Sequence, residues 1–413
     1  MKQLVRLFLV AALTQAGLHA VDLKTLLEAG ERSDMAQSYD YDAQAAQSAL
    51  SSVKRAYLPK ITGSYTQQSV DKQGTIEAKT TTVGSLKASM VIFDGFKREN
   101  MMDEKEAAYE AARLSSEHFK NAQALDIAKL YYSCLNIRED MKAKEQKGLQ
   151  LKAEVERLQR FLEAGSISED RLERMKASQA MNDYELHMLK LSYDRTLANL
   201  ETIAGMTVES LEPSTFSEPA MSTFQERDDL KAMEQSIRSL DYKARQSHGD
   251  YLPTLFVEDS YSTYDYDGLD AGFPIEMVEE QNKITVGLSM TLFDFFAKSK
   301  EKEAVMLQKK KLESQYTYQK TKAARDLLLA GESLKTAKSS IEAAKARKVA
   351  ADRTFAFIRK KYQANVVDNV TFLDALSDKY EAQAMYNQSL NNYEYEKASY
   401  YYYAAKELKE FVQ

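Results

Sequence analysis

The chain has 413 residues, and its 62 Asp and Glu outweigh 56 Lys and Arg to leave a net charge of −6. That mild acidity argues against a nucleic-acid partner. A single Cys supplies no intrachain disulfide and no thiolate metal site, and five Pro, no Trp and 29 % charged residues suit long solvated helices better than a compact enzyme.

The first predicted element, over residues 1–20, is a signal peptide: Lys2 and Arg6, an apolar stretch from Leu7 to Leu13, and a cleavage site at Leu18-His19-Ala20. The apolar run is well short of the ~18 residues a membrane anchor needs. The mature chain is expected to be exported and, with no Cys directly following the cleavage site, to carry no lipid at its N-terminus. Residues 22–57 predict a helix, since Tyr39, Ala43, Ala46, Leu50, Val53 and Tyr57 alternate steps of four and three, and Pro59 stops it. Strands are predicted over 61–70 and 82–93. In the second, Leu86, Ala88, Met90 and Ile92 alternate with Ser85, Lys87, Ser89 and Val91, so its two faces meet different surroundings. A proline-free helix over 96–163, a second over 168–205 and a linker over 206–224 follow.

The second half repeats this order. A helix over 225–250 ends before Tyr251-Leu252-Pro253, as the first ended at Tyr57-Leu58-Pro59. Strands follow over 254–264 and 283–293, the latter with Val286, Leu288, Met290 and Leu292 on one face. A proline-free helix over 296–363 keeps three-four steps from Leu327 to Tyr362, a period that argues helix-on-helix packing, and its last partner covers 368–411. At 1.5 Å per residue each long helix would reach roughly 100 Å, too long to fold back into a globule. Phe93-Asp94 matches Phe293-Asp294, and Gly165 matches Asn365. The chain therefore divides into two structural repeats, 21–213 and 214–413, each a helix, two strands and a long helical hairpin.

The predicted class is mainly α with a small β part. Four strands cannot close a barrel, and an open sheet in lipid leaves unpaired edges. Either the strands form a small soluble sheet packed on helix, or several chains share one barrel. Three chains would supply twelve strands, a feasible number.

No GxGxxG, Walker loop, HExxH or CxxC occurs, and His118, His187 and His248 are isolated. No enzyme activity, catalytic residue, cofactor or metal is expected. Gly165 and Asn365 are the expected left-handed residues ending a helix. Their neighbours Ala164, Ser166 and Ile167, with Ala364, Val366 and Val367, would form two exposed, partly apolar tips, which suggest a partner. Beyond the second tip, Asp374 and Asp378 share one helix face with Thr371.

Together these features resemble the TolC-type outer-membrane export channels. The carriers are the Tyr-Leu-Pro junctions, strand pairs ending Ile92-Phe93-Asp94-Gly95-Phe96 and Leu292-Phe293-Asp294, and tips reading Phe161-Leu162-Glu163-Ala164-Gly165-Ser166-Ile167-Ser168 and Tyr362-Gln363-Ala364-Asn365-Val366-Val367, the latter followed by Phe372-Leu373-Asp374-Ala375. The resemblance implies a homotrimer with one shared 12-stranded transmembrane β-barrel in the outer membrane. Long antiparallel coiled-coil helices would form a periplasmic α-barrel, so most of the chain would lie in the periplasm. The trimer would act as the passive exit duct of a tripartite efflux or type I secretion system. Its tips would dock a periplasmic adaptor (membrane fusion) protein, which links it to an inner-membrane pump. It also implies a periplasmic gate lined by acidic side chains, for which Asp374 fits, with Asp378, Thr371 and, in the first half, Asp170 as further candidates. Thr371 stands where the family often has Asp, and Arg171 stands at the matching first-half position. The rival reading is a periplasmic coiled-coil scaffold or chaperone with a small β cap.

Overall fold

The computed structural model describes residues 20–74, 76–269 and 276–413. Apart from Ala20, the predicted signal peptide lies outside the described residues. The described chain forms two compact units, each built from both halves of the sequence. One comprises Tyr39–Ser116 and Asp228–Lys320; the other comprises residues 20–38, 117–227 and 321–413.

The first predicted helix is two, α1 (Leu23–Gly30) and α2 (Asp34–Arg55). The break is built in. A Cβ on Gly30 would come within 2.5 Å of Ile127 Cδ1, so the backbone lies directly on α3 (Lys97–Glu163). The Ser33 hydroxyl then accepts the Ala36 N–H at 3.3 Å, capping α2, and receives the Gln123 amide at 2.8 Å.

In the strand unit, β1 (Lys60–Ser69), β2 (Thr80–Phe93), β3 (Thr254–Asp267) and β4 (Glu280–Ser289) form one antiparallel sheet in that order. Its edges are β1 and β4. The expected fourth strand ran to 293 but stops at Ser289. Ser289 stands opposite Thr254, the first residue of β3, so Met290 and Leu292 have no strand to pair with there. A bulge between Val91 and Phe93 ends the β2–β3 ladder. Each strand pair then leads into a helix through an Asp. Asp94 accepts the Arg98 N–H at 3.2 Å at the start of α3, and Asp294 accepts the Lys298 N–H at 2.9 Å at the start of α6 (Ala297–Gln363). The duplicated Phe-Asp pair is thus a duplicated strand-to-helix joint. Gly95, at φ 69°, makes the first joint: a Cβ there would stand 2.7 Å from that of Leu252.

The other unit is helical. It holds α1, most of α3, α4 (Glu169–Ala204), the later part of α6 and α7 (Asn369–Tyr403). One core joins Leu23, Leu26, Ile127, Tyr131, Leu200, Phe216 and Tyr401, and a second joins Leu151, Leu158, Leu172 and Met175 to Phe355, Tyr362, Phe372 and Leu376. The predicted linker 206–224 belongs to the first core. Val208, Leu211 and Phe216 are buried, Val21 bridges Leu211, and Phe216 bridges Val412. Tyr132 donates to the Ser214 carbonyl at 3.0 Å. Buried Lys397 donates to the Phe216 carbonyl at 2.9 Å and pairs with Glu394. Of the Tyr400–Tyr403 run, Tyr400 and Tyr401 are buried and the other two half-buried. Cys134 is fully buried, and burial pushes its thiol up to about 12, the behaviour of a small core residue.

Candidate functional site

The two hairpin tips use one backbone solution. At the first, Gly165 takes φ 66°, its N–H reaching the Leu162 carbonyl at 2.9 Å and that of Ser166 the Phe161 carbonyl at 2.8 Å. At the second, Asn365 takes φ 56°, its N–H reaching Tyr362 at 3.0 Å and that of Val366 reaching Lys361 at 2.8 Å. Both are Schellman ends, which satisfy the last helical carbonyls and turn the chain back sharply. Ala164, Gly165, Ser166, Ala364, Asn365 and Val366 are exposed, while Ile167 and Val367 are half-buried against the core behind them.

The helices leaving the tips start differently. Asp368 caps α7, its Oδ1 accepting the Thr371 N–H at 2.9 Å and the Thr371 hydroxyl at 2.7 Å. Those two bonds hold its carboxyl below the usual range. Thr371, a gate candidate, is therefore half of a capping pair. Ser168 makes no such side-chain cap on α4. Its hydroxyl interacts instead with Asp170, which lowers that carboxyl's pKa. The two starts are tied together by buried Asn369. Its amide donates to the Arg171 carbonyl at 2.9 Å, and its oxygen accepts the Tyr362 hydroxyl. Tyr362 stacks on Phe372 at 4.4 Å and lies under the Arg157 guanidinium. Burial pushes its phenol up to about 12.

Between the tips lies an open cleft of about 410 Å³, with Asp170, Arg171 and Arg174 on one side and Asn365, Val366, Val367 and Asp368 on the other. It gathers Asp170 and much of the second tip. Asp374 and Asp378 lie farther along α7 and outside it. Both are exposed, and Asp378 stands 3.7 Å from Arg347 of α6. Asp368 and Asn369 were missed in the sequence. The Asp-x-x-Thr spacing after a helix stop is a capping signal and could have marked the first; nothing local marks Asn369, whose partners are remote or packed.

The sheet has two chemically distinct faces. Directly opposed residues share a face, so the ladders place Ile61, Leu86, Ala88, Met90, Val257, Tyr261, Ile284, Val286 and Leu288 together, with Asp259 among them. The other face carries Ser64, Ser85, Lys87, Ser89, Glu258, Ser260, Thr285 and Ser289, with a Lys87–Glu258 ion pair at 2.5 Å. Gly287 lies on this polar face beneath the Phe256 ring, whose Cζ would be 2.2 Å from a Cβ there.

Comparison with known families decides the identity. The model for outer membrane efflux proteins matches residues 27–206 and 222–399, covering both halves. The chain belongs to that family. It is an outer-membrane efflux channel of TolC type, with a large helical part in the periplasm, and the family is one of channels. No curated protein sequence matches the chain. Solved structures match its fold across nearly its whole length. The Campylobacter jejuni CmeC outer membrane channel superposes with a TM-score of 0.82 at 14 % identity, over 94 % of this chain and 85 % of that one. A membrane protein from Pseudomonas aeruginosa gives 0.81 at 11 % identity, over 92 % and 93 %. The open-state Neisseria gonorrhoeae MtrE outer membrane channel gives 0.78 at 13 % identity, over 94 % and 89 %. The scaffold reading is set aside by the family match. No described helix of the channel is long and apolar enough to cross a membrane.

Proposed function

We propose that three copies close their sheets into one 12-stranded barrel and that the trimer is the passive exit duct of a tripartite efflux or type I secretion system. The observation that carries this is a four-stranded sheet with one apolar face, one polar face and two unpaired edges. In lipid such edges must be paired, and here only further copies of the sheet supply matching strands. The apolar band supports a barrel further. It lies at Ile61–Tyr65 on β1 and at Ile284–Leu288 on β4, shifted along the ladder rows from one edge to the other. A band level with the membrane crosses the rows obliquely when strands tilt by about 35–45° as barrel strands do. Native mass spectrometry of the detergent-purified channel should give three chains; a stable monomer overturns the reading.

The same proposal takes 21–213 and 214–413 as two repeats of one unit. It takes the tips, residues 164–167 and 364–367, as the docking site for a periplasmic adaptor and, through it, an inner-membrane pump. The exposed cleft between them, with Arg171 and Arg174 beside Val366, offers that partner both apolar and charged contacts. Asp374 and Asp378, with Thr371 and Asp170 nearby, are proposed to line the periplasmic entrance. Three copies of each exposed carboxylate around a throat would attract multivalent cations. Block of single-channel conductance by such cations from the periplasmic side should weaken in Asp374→Asn, and less in Asp378→Asn, because Arg347 already stands against Asp378. Unchanged block in the double variant would leave both as ordinary surface carboxylates.

A further inference from the structure

We propose that the chain carries a binding pocket for amphipathic organic amines where α2 begins beside the end of α4. The pocket is built from one chain's residues, and the exit-duct reading has no use for it. Gly205, at φ 69°, ends α4 and lets the two helices meet: a Cβ there would stand 3.3 Å from that of Ser33. Beside this junction a cavity of about 680 Å³ opens against α3, within the roughly 300–1,000 Å³ usual for small-molecule sites. Much of its wall is apolar, made by Phe119 and Ala122 of α3, Ile203 of α4 and Met35 of α2. Met35, unbranched and 59 % exposed, is the part of that wall that yields to a ligand.

The polar groups around the cavity call for a cation that donates. Gln123, 6 % exposed, lines it, and the orientation of its amide is fixed. Its Nε2 donates at 2.7 Å to the Ile203 carbonyl, which can only accept, and at 2.8 Å to the Ser33 hydroxyl. Both amide protons are then spent, and Oε1 is left buried with no partner. Buried acceptors rarely stay unpaired, and the donor this one lacks is an N–H or O–H. Charge narrows the choice. Asp34 and Asp126 line the cavity against the one cation of Arg32, and both carboxylates are exposed. Asp126 stands one turn from Ala122 and Gln123 on the same face of α3. The last turn of α4 holds no basic residue, so its terminal carbonyls favour a cation as well, whereas the opposite charge at the start of α2 is met by Asp34. An anion would meet two carboxylates and an acceptor. An ammonium would pair with Asp126 and give one N–H to Gln123 Oε1, while its aromatic or alkyl body fills the apolar wall.

The test is equilibrium binding of dansylcadaverine, a primary ammonium on an aromatic body, to the full-length channel in an uncharged detergent, read by dansyl emission with empty micelles subtracted. Saturable binding at one site per chain is expected. N-pentyl dansylamide, which lacks the ammonium, and the N-trimethyl derivative, which keeps the charge but has no N–H on it, should each bind about ten-fold more weakly. Asp126→Asn, at an exposed position, should weaken dansylcadaverine about three-fold. Ala122→Phe, which fills the cavity, should remove binding, with circular dichroism reporting that the helices persist. No saturable signal above the micelles overturns the pocket. Saturable binding that neither variant changes puts the amine elsewhere and overturns it too. Equal affinity for the pentyl compound overturns the amine class, and equal affinity for the trimethyl compound overturns the bond to Gln123.

Discussion

The two hairpin tips have the same backbone and different chemistry. Gly165 and Asn365 turn the chain with the same pair of hydrogen bonds. Yet position 162 is a half-buried Leu, while its counterpart 362 is a fully buried Tyr stacked on Phe372 and bonded through Asn369 to the other hairpin. The start of α7 is capped by an aspartate, and that of α4 by no side chain. The turn is the same at both tips, and what surrounds it is not. The second hairpin carries the buried Tyr362 and Asn369, and Asn369 reaches across to the Arg171 carbonyl of the first.

The largest test of that asymmetry is side-chain removal at matched positions. Tyr362→Ala should cost about 3–5 kcal/mol of local opening free energy, the range for a buried aromatic. Leu162→Ala, at a half-buried site, should cost about 1–2 kcal/mol by the same reasoning. Hydrogen exchange across residues 155–175 and 355–375 reads both. Equal costs would mean that the tips are energetically equivalent despite their contacts.

Next in size is the bridge. Asn369→Leu removes the amide while leaving the Arg171 carbonyl and Tyr362 hydroxyl without their partner, a loss of about 1–3 kcal/mol. The signature is its reach: protection should fall in the first turn of α4 as well as in α7. A change confined to α7 would show that Asn369 does not couple the hairpins.

The turns themselves come third. Gly165→Ala puts a Cβ on a residue at φ 66°, where open space surrounds it, so the penalty is conformational alone, about 1 kcal/mol. Asn365→Gly relaxes the same conformation and should be within about 0.5 kcal/mol of neutral. Thermal melting followed by circular dichroism compares them.

Much of this was legible because it is periodic or duplicated. The long helices, the four strands, the alternation of Leu86, Ala88 and Met90, and the left-handed Gly165 and Asn365 all follow from local spacing. The break at Gly30 was hidden because the seam read in the sequence, Tyr39 to Tyr57, lies wholly beyond it, and the approach of Ile127 to Gly30 is a remote contact. The end of β4 at Ser289 is set by the start of β3, not by its own alternating residues. Thr371, read for its place on the gate face, is bonded to Asp368. Asn369 and Lys397 are buried polar groups whose partners include remote backbone carbonyls, and no one-dimensional pattern announces such a pairing.

The smallest effect expected is in the pH response of two carboxylates, and its sign separates the tip from the shaft. Asp368, capping α7, has a lowered pKa from the Thr371 hydroxyl and N–H. Its contribution is present above the unfolded carboxylate range and is lost as pH falls through the folded value. Asp140, on α3 beside Gln388 of α7, has its pKa raised by burial, which outweighs the nearby Lys144 charge. Its contribution runs the other way, complete at low pH and lost as pH rises past the folded value. Asp140→Asn keeps an amide beside Gln388 without a charge to bury. It should therefore melt slightly above the wild type at pH 7, with the difference vanishing near pH 4. Asp368→Asn should melt below it at pH 7 and converge with it in acid. Curves that shift in the same direction would mean that the shaft carboxylate is held by its lysine neighbour, and that charge pairing outweighs burial between α3 and α7.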